Sequence, residues 1–147
     1  MNKTFMKIAI DLAKKAAEQG EIPVGAVVVK NGEVVATGFN TREKSNNALG
    51  HAEINAINDA CNKLGSWRLD DCEIYVTMEP CPMCAGAIIN ARIPVVVFGC
   101  YDLKMGSFDS VVNLASCGFD FKPEIYGGIC EEECAALVTN FFKELRK

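Results

Sequence analysis

The sequence predicts an α/β fold, a single mixed sheet of about five strands with helices on both sides. Three features point to it: a hairpin near the start, a strand–helix–strand passage in the middle, and helices at both ends, the first of them one-faced. From Thr4 to Gln19, Phe5, Ile8, Ala9, Leu12, Ala13 and Ala16 fall on one helical face with lysines outside, and Gly20 serves as the stop. Pro23–Val29 and Glu33–Thr37 then flank Lys30-Asn31-Gly32. Asn-Gly between apolar runs is a strong hairpin signal because both residues tolerate positive φ. A polar loop from Asn40 to Gly50 leads to a helix opening at His51, with Ile54, Ile57, Cys61 and Leu64 in helical spacing and Gly65 at its end. Cys72, Ile74, Val76 and Met78 alternate with Glu73, Tyr75, Thr77 and Glu79, a strand expected to be buried on one face more than the other.

Pro80-Cys81-Pro82 marks an abrupt strand-to-helix turn, with Pro82 suited to the first helical position and the helix running to Ala91. Ile93–Gly99 reads as a buried strand, and reaching it through a helix implies a parallel crossover. Asp102–Asp120 is loop-rich; a short strand at Glu124–Tyr126 and a last helix from Glu131 to Arg146 follow. No repeat or low-complexity linker interrupts the pattern, so residues 1–147 are expected to form one domain.

Half of the chain is apolar and 23% is charged, the balance of an ordinary globular protein. No apolar run approaches the ~20 residues that cross a bilayer. The start, Met1-Asn2-Lys3-Thr4-Phe5, leads into a polar-faced helix rather than an apolar signal segment, so a cytoplasmic location is expected. In that compartment the eight cysteines stay reduced, and the close pair is better explained by metal than by a disulfide. Most of the other six are expected to act as small hydrophobes in the core. A net charge of −4 argues against broad capture of a phosphate backbone.

The chemistry concentrates in two short motifs. Pro80-Cys81-Pro82-Met83-Cys84 puts two thiols three residues apart at a helix start, where unpaired N–H groups and the helix dipole favour thiolate. His51, the only histidine, opens the helix one strand earlier. One imidazole and two thiolates give a tetrahedral zinc site with its fourth position open to water, the arrangement of catalytic rather than structural zinc. Glu53, two residues after His51, does not share its helix face and is free to move protons beside the metal. His-x-Glu followed by Pro-Cys-x-x-Cys is itself the established signature of zinc nucleobase deaminases. A thioredoxin-like redox pair leaves His51-Ala52-Glu53 unexplained, and a four-ligand structural zinc would have to recruit Cys61, Cys72 or Cys100.

With these residues in place, the chain resembles the cytidine-deaminase-like superfamily, and most closely its branch of bacterial tRNA-specific adenosine deaminases. The resemblance spans nearly the whole chain: Glu21–Ala26, Phe39-Asn40, His51-Ala52-Glu53, Tyr75–Cys81 and Cys84-Ala85-Gly86. Val97-Phe98-Gly99, Asp102 with Lys104 and Gly106, and Glu133–Leu137 through Phe141-Phe142 favour the tRNA branch. It implies a three-layer α-β-α sandwich, a homodimer, one Zn2+ per subunit, and hydrolysis of the wobble adenosine of a tRNA anticodon arm to inosine. By position, His51, Cys81 and Cys84 would hold zinc and Glu53 would shuttle protons. Asn40 would bond the flipped base, and the N–H groups of Ala52 and Cys81 would partner the zinc-bound oxygen. Asp102 and Lys104 would lie in the anticodon-binding loop, with Phe142 and Arg146 near flanking nucleotides.

Simpler readings stand beside these. Asn40 also reads as a turn residue and Asp102 and Lys104 as a solvated pair, while Arg42 and Lys44 read as solvated cations and Glu79 as a buttress of the cysteine turn. Phe141 and Phe142 are expected to split between core and surface. The sequence departs from the branch at Asp120-Phe121-Lys122, where relatives commonly carry Asn-His-Arg, while Cys61–Asp71 is shared with guanine-deaminase relatives. Two other functions compete: a free-base deaminase for guanine or cytosine, and a non-catalytic RNA-binding module. The first needs a lid for which Phe141–Lys147 leaves little chain; the second expects loss of the proton shuttle, yet Glu53 is present.

Overall fold

The computed structural model describes residues 2–146; Met1 and Lys147, the ends of the expected domain, lie outside the described residues. The elements are α1 (Lys3–Glu18), β1 (Gly25–Lys30), β2 (Glu33–Phe39), α2 (Arg42–Ser45), α3 (Ala52–Leu64), β3 (Cys72–Met78), α4 (Pro82–Asn90), β4 (Val95–Cys100), β5 (Glu124–Tyr126) and α5 (Glu131–Leu145). The strands form one sheet in the order β2-β1-β3-β4-β5. β1 runs antiparallel to β2 and β3, whereas β3, β4 and β5 are parallel, so the sheet is mixed as the crossover through α4 requires. The β1–β2 turn forms as expected, with Asn31 at φ 52° and Gly32 at φ 77°.

Successive residues of each strand point to opposite faces, and the two faces feed two cores. Ala26, Val28, Ile74, Val76, Val96 and Phe98 pack with Ala52, Ala56 and Ala60 of α3 and Ala85 and Ile88 of α4. Val27, Val29, Tyr75 and Val97 pack with Met6, Ala9 and Ile10 of α1 and Cys134 of α5. This is the three-layer α-β-α sandwich.

Three expectations need correction. β3 is buried on both faces, with Tyr75 2% and Thr77 1% exposed, because it lies between β1 and β4 under helices from both sides. The deepest face of α3 is Ala52, Glu53, Ala56 and Ala60, while Ile57, Cys61 and Leu64 lie half-buried at its margin. The cause is close approach: a Cβ added to Gly38 of β2 would lie 2.4 Å from the Ala52 carbonyl oxygen and 2.6 Å from the Ala56 nitrogen. At that spacing only alanine fits beneath the helix. The polar loop contains the helical turn α2. The expectation for the six cysteines outside the motif holds: Cys72, Cys100 and Cys134 are buried in the cores, Cys61 and Cys130 are half-buried against them, and Cys117 is exposed; all eight are free thiols.

Candidate active site

The C-terminal ends of β2, β3 and β4 meet at one edge of the sheet, where Phe39 pairs with Gly25 and Met78 with Cys100. Ligand sites of α/β sheets characteristically open beyond such strand ends. Here β3 passes through Glu79-Pro80 into α4, whose N-cap is Cys81, with Pro82 in the first turn. His51 is the N-cap of α3 in an extended conformation, φ −92° and ψ 150°. Two helices thus aim their N-termini at the same point.

There the ligand atoms of His51, Cys81 and Cys84 lie within 4.8 Å of one another. His51 Nδ1 is 3.7 Å from Cys81 Sγ and 3.6 Å from Cys84 Sγ. A tetrahedral zinc with Zn–N of ~2.05 Å and Zn–S of ~2.3 Å sets its N and S donors about 3.6 Å apart, so the spacing fits. The acid–base chemistry fits as well. The Cys81 thiol is lowered to about 4, chiefly by a hydrogen bond from Cys84 and then by His51, against its own burial. Cys84, fully buried, is pushed far up by the adjacent Cys81 sulfur and by desolvation. Side by side, one sulfur ionises easily and the second resists, a conflict that a divalent cation removes.

Glu53 enters α3 two residues after His51, in the first turn, and is 4% exposed. Desolvation raises its carboxyl to about 7, which the hydrogen bond from its own backbone N–H and the neighbouring His51 only partly oppose. His51 is raised, foremost by its hydrogen bond with Cys81, while its own burial pulls the other way.

A cavity of about 480 Å³ opens over these groups, a size typical of small-molecule sites. Glu53, His51 and Cys81 line its metal end; Asn40, Asp102, Lys104 and Phe142 line its walls. Asn40 is more than a turn residue. Its Oδ1 accepts from Ala52 N at 2.9 Å, its Nδ2 donates to the Ile22 carbonyl at 3.0 Å, and one amide hydrogen remains for a ligand. The same bond corrects the expectation for Ala52: its single N–H is committed to Asn40 and is not free for a reacting oxygen. Arg146 caps the exposed C-terminal end of α5 and is not among the cavity-lining residues. Phe141 is half-buried rather than in the core and meets Phe142 edge-on at 5.5 Å. Asp120, Phe121 and Lys122 precede β5 away from the cavity lining, with Arg92 over the Phe121 ring.

Four residues take a part in the site that the sequence did not assign them. Glu21, 1% exposed, reaches from the α1–β1 connection and accepts from Glu43 N at 3.0 Å and Lys44 N at 2.8 Å. It pins α2, and Arg42 on that turn lines the cavity while Lys44 does not. Met78, Met105 and Val138 add apolar wall. Nothing in the local pattern singles out Glu21 beyond an acid placed just before Ile22-Pro23.

Fold and site together define a class: a zinc centre with three protein donors and a carboxyl beside it, suited to hydrolysis. Residues 1–100 match the family described as the cytidine and deoxycytidylate deaminase zinc-binding region, and the chain belongs to that family. It is 47% identical over 147 residues to the tRNA-specific adenosine deaminase of Bacillus subtilis (strain 168), covering 99% of this chain and 91% of that protein. It is 42% identical to the tRNA-specific adenosine deaminase of Streptococcus pyogenes serotype M1, covering 97% of this chain and 84% of that one. Among solved structures, one from studies of A-to-I editing by tRNA:A34 deaminases at the wobble position superposes with a TM-score of 0.89 at 39% identity, covering 92% of this chain and 99% of the other. Guanine deaminase from Bacillus subtilis gives a TM-score of 0.65 at 34% identity, covering 82% and 88%.

Proposed function

We propose that this chain hydrolyses the wobble adenosine of a tRNA anticodon to inosine, releasing ammonia, with His51, Cys81 and Cys84 holding zinc and Glu53 moving the protons. The observation that carries the chemistry is the convergence of those three donors beside a buried carboxyl at the floor of the cavity. Zinc, when bound, supplies nucleophilic water at neutral pH by lowering its pKa to about 7. Glu53 would accept a proton from the water that attacks C6 and pass it to N1, then take the second proton from the new C6 hydroxyl and pass it to the departing amine, which leaves as ammonia. Burial suits it to both duties, because a carboxyl raised toward neutrality takes and returns a proton with little cost. Asn40, with its remaining amide hydrogen, orients the base. Asp102 and Lys104 meet the anticodon loop on one wall, and Phe142 offers a ring for stacking by a flanking base. Arg146, further along α5, contacts RNA outside the cavity.

The substrate rests on likeness to whole relatives, 47% and 42% identical and named for tRNA-specific adenosine deamination. A free-base deaminase shares the chemistry, and the 34% likeness to guanine deaminase keeps it as the second reading. Residues 1–147 act as one deaminase domain, a cytoplasmic homodimer in the same proposal. Among the described residues no helix is long and apolar enough to cross a membrane. The deciding assay incubates the purified protein with an anticodon stem-loop bearing a wobble adenosine, and separately with guanine, cytosine and adenine, measuring ammonia. Release from the stem-loop alone is expected; release from free bases alone would sink the tRNA reading.

A further inference from the structure

The buried carboxylate of Glu79 has no part in the chemistry just described, although it stands two residues before Cys81 and exposes 3% of its surface. As a buttress of the cysteine turn it would bond within residues 79–84. Its four hydrogen bonds run instead to the loop after β4. Oε1 accepts from Asp102 N at 3.1 Å and from the Ser110 hydroxyl; Oε2 accepts from Phe108 N at 3.3 Å and Ser110 N at 2.9 Å. The loop backbone is pressed against the carboxylate, since a Cβ on Gly106 would lie 2.4 Å from both Glu79 Cδ and Oε1. Main-chain bonds fasten the same pieces, from Glu79 N to Cys100 O at 2.8 Å and from Ser107 N to Pro80 O at 2.9 Å.

This loop has no strand or helix of its own from Asp102 to Phe108, apart from the isolated pairing of Phe108 with Asn113. It nevertheless supplies Asp102, Lys104 and Met105 to the cavity. Asp102 Oδ1 closes the turn by accepting from Lys104 N at 3.0 Å and Met105 N at 3.2 Å. Remove the carboxylate, and three backbone N–H groups lose their acceptor at the base of that wall. Only an acceptor without protons satisfies all four donors at once.

We propose that Glu79 is a positioning residue: by gathering the amides of Asp102, Phe108 and Ser110, it sets the pose of the Asp102–Met105 wall and thereby the affinity for substrate. Which substrate the wall receives rests on the function proposed above. Glu79 itself neither holds the metal nor moves the reacting proton.

Glu79→Gln is the sharpest probe, because the amide keeps the shape while turning one acceptor into a donor that faces N–H groups. With the zinc-loaded protein and the anticodon stem-loop, KM is expected to rise about tenfold while kcat stays within about threefold. Zinc stays at one per chain, and the amides of residues 102–110 exchange hydrogen faster. Ser110→Ala, which removes one donor, and Gly106→Ala, whose Cβ would push the loop off the Glu79 carboxylate, should raise KM in the same way. A fall in kcat at unchanged KM would make Glu79 a participant in the chemistry and overturn the proposal. Loss of zinc with 102–110 exchange unchanged would return it to the turn and overturn it equally. If Glu79→Gln does not fold, Ser110→Ala and Gly106→Ala decide by the same split. If the parent leaves the stem-loop unreacted, the proposed function fails separately. Unchanged exchange of 102–110 in Glu79→Gln then counts against the positioning role.

Discussion

At its metal end the cavity is built from helix N-termini, whereas its walls are built from loops tied down by buried acids. His51 and Cys81 are N-caps of α3 and α4, with Cys84 one turn into α4, so two rigid helices docked on the sheet fix the donors. The walls carry Arg42 on the four-residue α2 and Asp102, Lys104 and Met105 on an irregular loop. Their shape depends on Glu21 and Glu79, each holding backbone N–H groups of a segment more than twenty residues away in sequence. The metal donors thus sit on elements whose geometry comes with the fold, whereas the walls, to which the proposed function gives substrate choice, sit on segments that need a separate anchor. Such a division lets a family keep one reaction and vary its substrates.

The largest effects belong to the metal end. His51→Ala removes one of three donors and is expected to lose zinc and to cut activity by at least about a thousandfold; elemental analysis beside the ammonia assay checks both. A variant that keeps one tightly held zinc per chain would show that the ligand set is different. Glu53→Ala comes next: zinc stays at one per chain while kcat falls by about 10²–10⁴, the usual contribution of a positioned acid–base group. Metal loss from a folded Glu53→Ala protein would contradict a role confined to proton transfer.

A smaller effect is expected at the wall. Phe142→Ala deletes a stacking ring worth ~1–3 kcal/mol for a base, so KM for the stem-loop should rise roughly five- to hundredfold with kcat nearly unchanged. An unchanged KM would place the flanking base elsewhere. Smallest is a stability effect under the sheet. Burial raises the Cys100 thiol to about 11 and the Cys134 thiol to about 12, from a usual 9.0. Below about pH 9 both thiols keep their protons folded or unfolded, and full stability is present. From there upward the unfolded chain ionises first, so stability falls with rising pH until the folded thiols titrate too, by on the order of 1 kcal/mol for each pH unit and thiol. Urea midpoints at pH 8 and pH 10 should drop less in Cys134→Ala than in the parent; equal drops would mean that the thiol does not feel the burial.

The sequence by itself determined the α/β order of elements, the hairpin at Asn31-Gly32, the parallel crossover after Cys81, and the grouping of His51, Cys81 and Cys84 with the Glu53 carboxyl nearby. These are local signals: periodicity, turn chemistry and ligand spacing are written within a few residues of one another. Tertiary structure alone decided that β3 is buried on both faces, since Tyr75 and Thr77 read as an outer face until α1 and its neighbours cover them. It also put alanines rather than isoleucines under α3, because the Gly38 approach is set by the partner strand. Likewise it committed the Ala52 N–H to Asn40 and recruited Glu21 and Glu79 to hold the walls. A carboxylate that bonds amides more than twenty residues away leaves no period or spacing to read. Its partner exists only once the chain has closed around it.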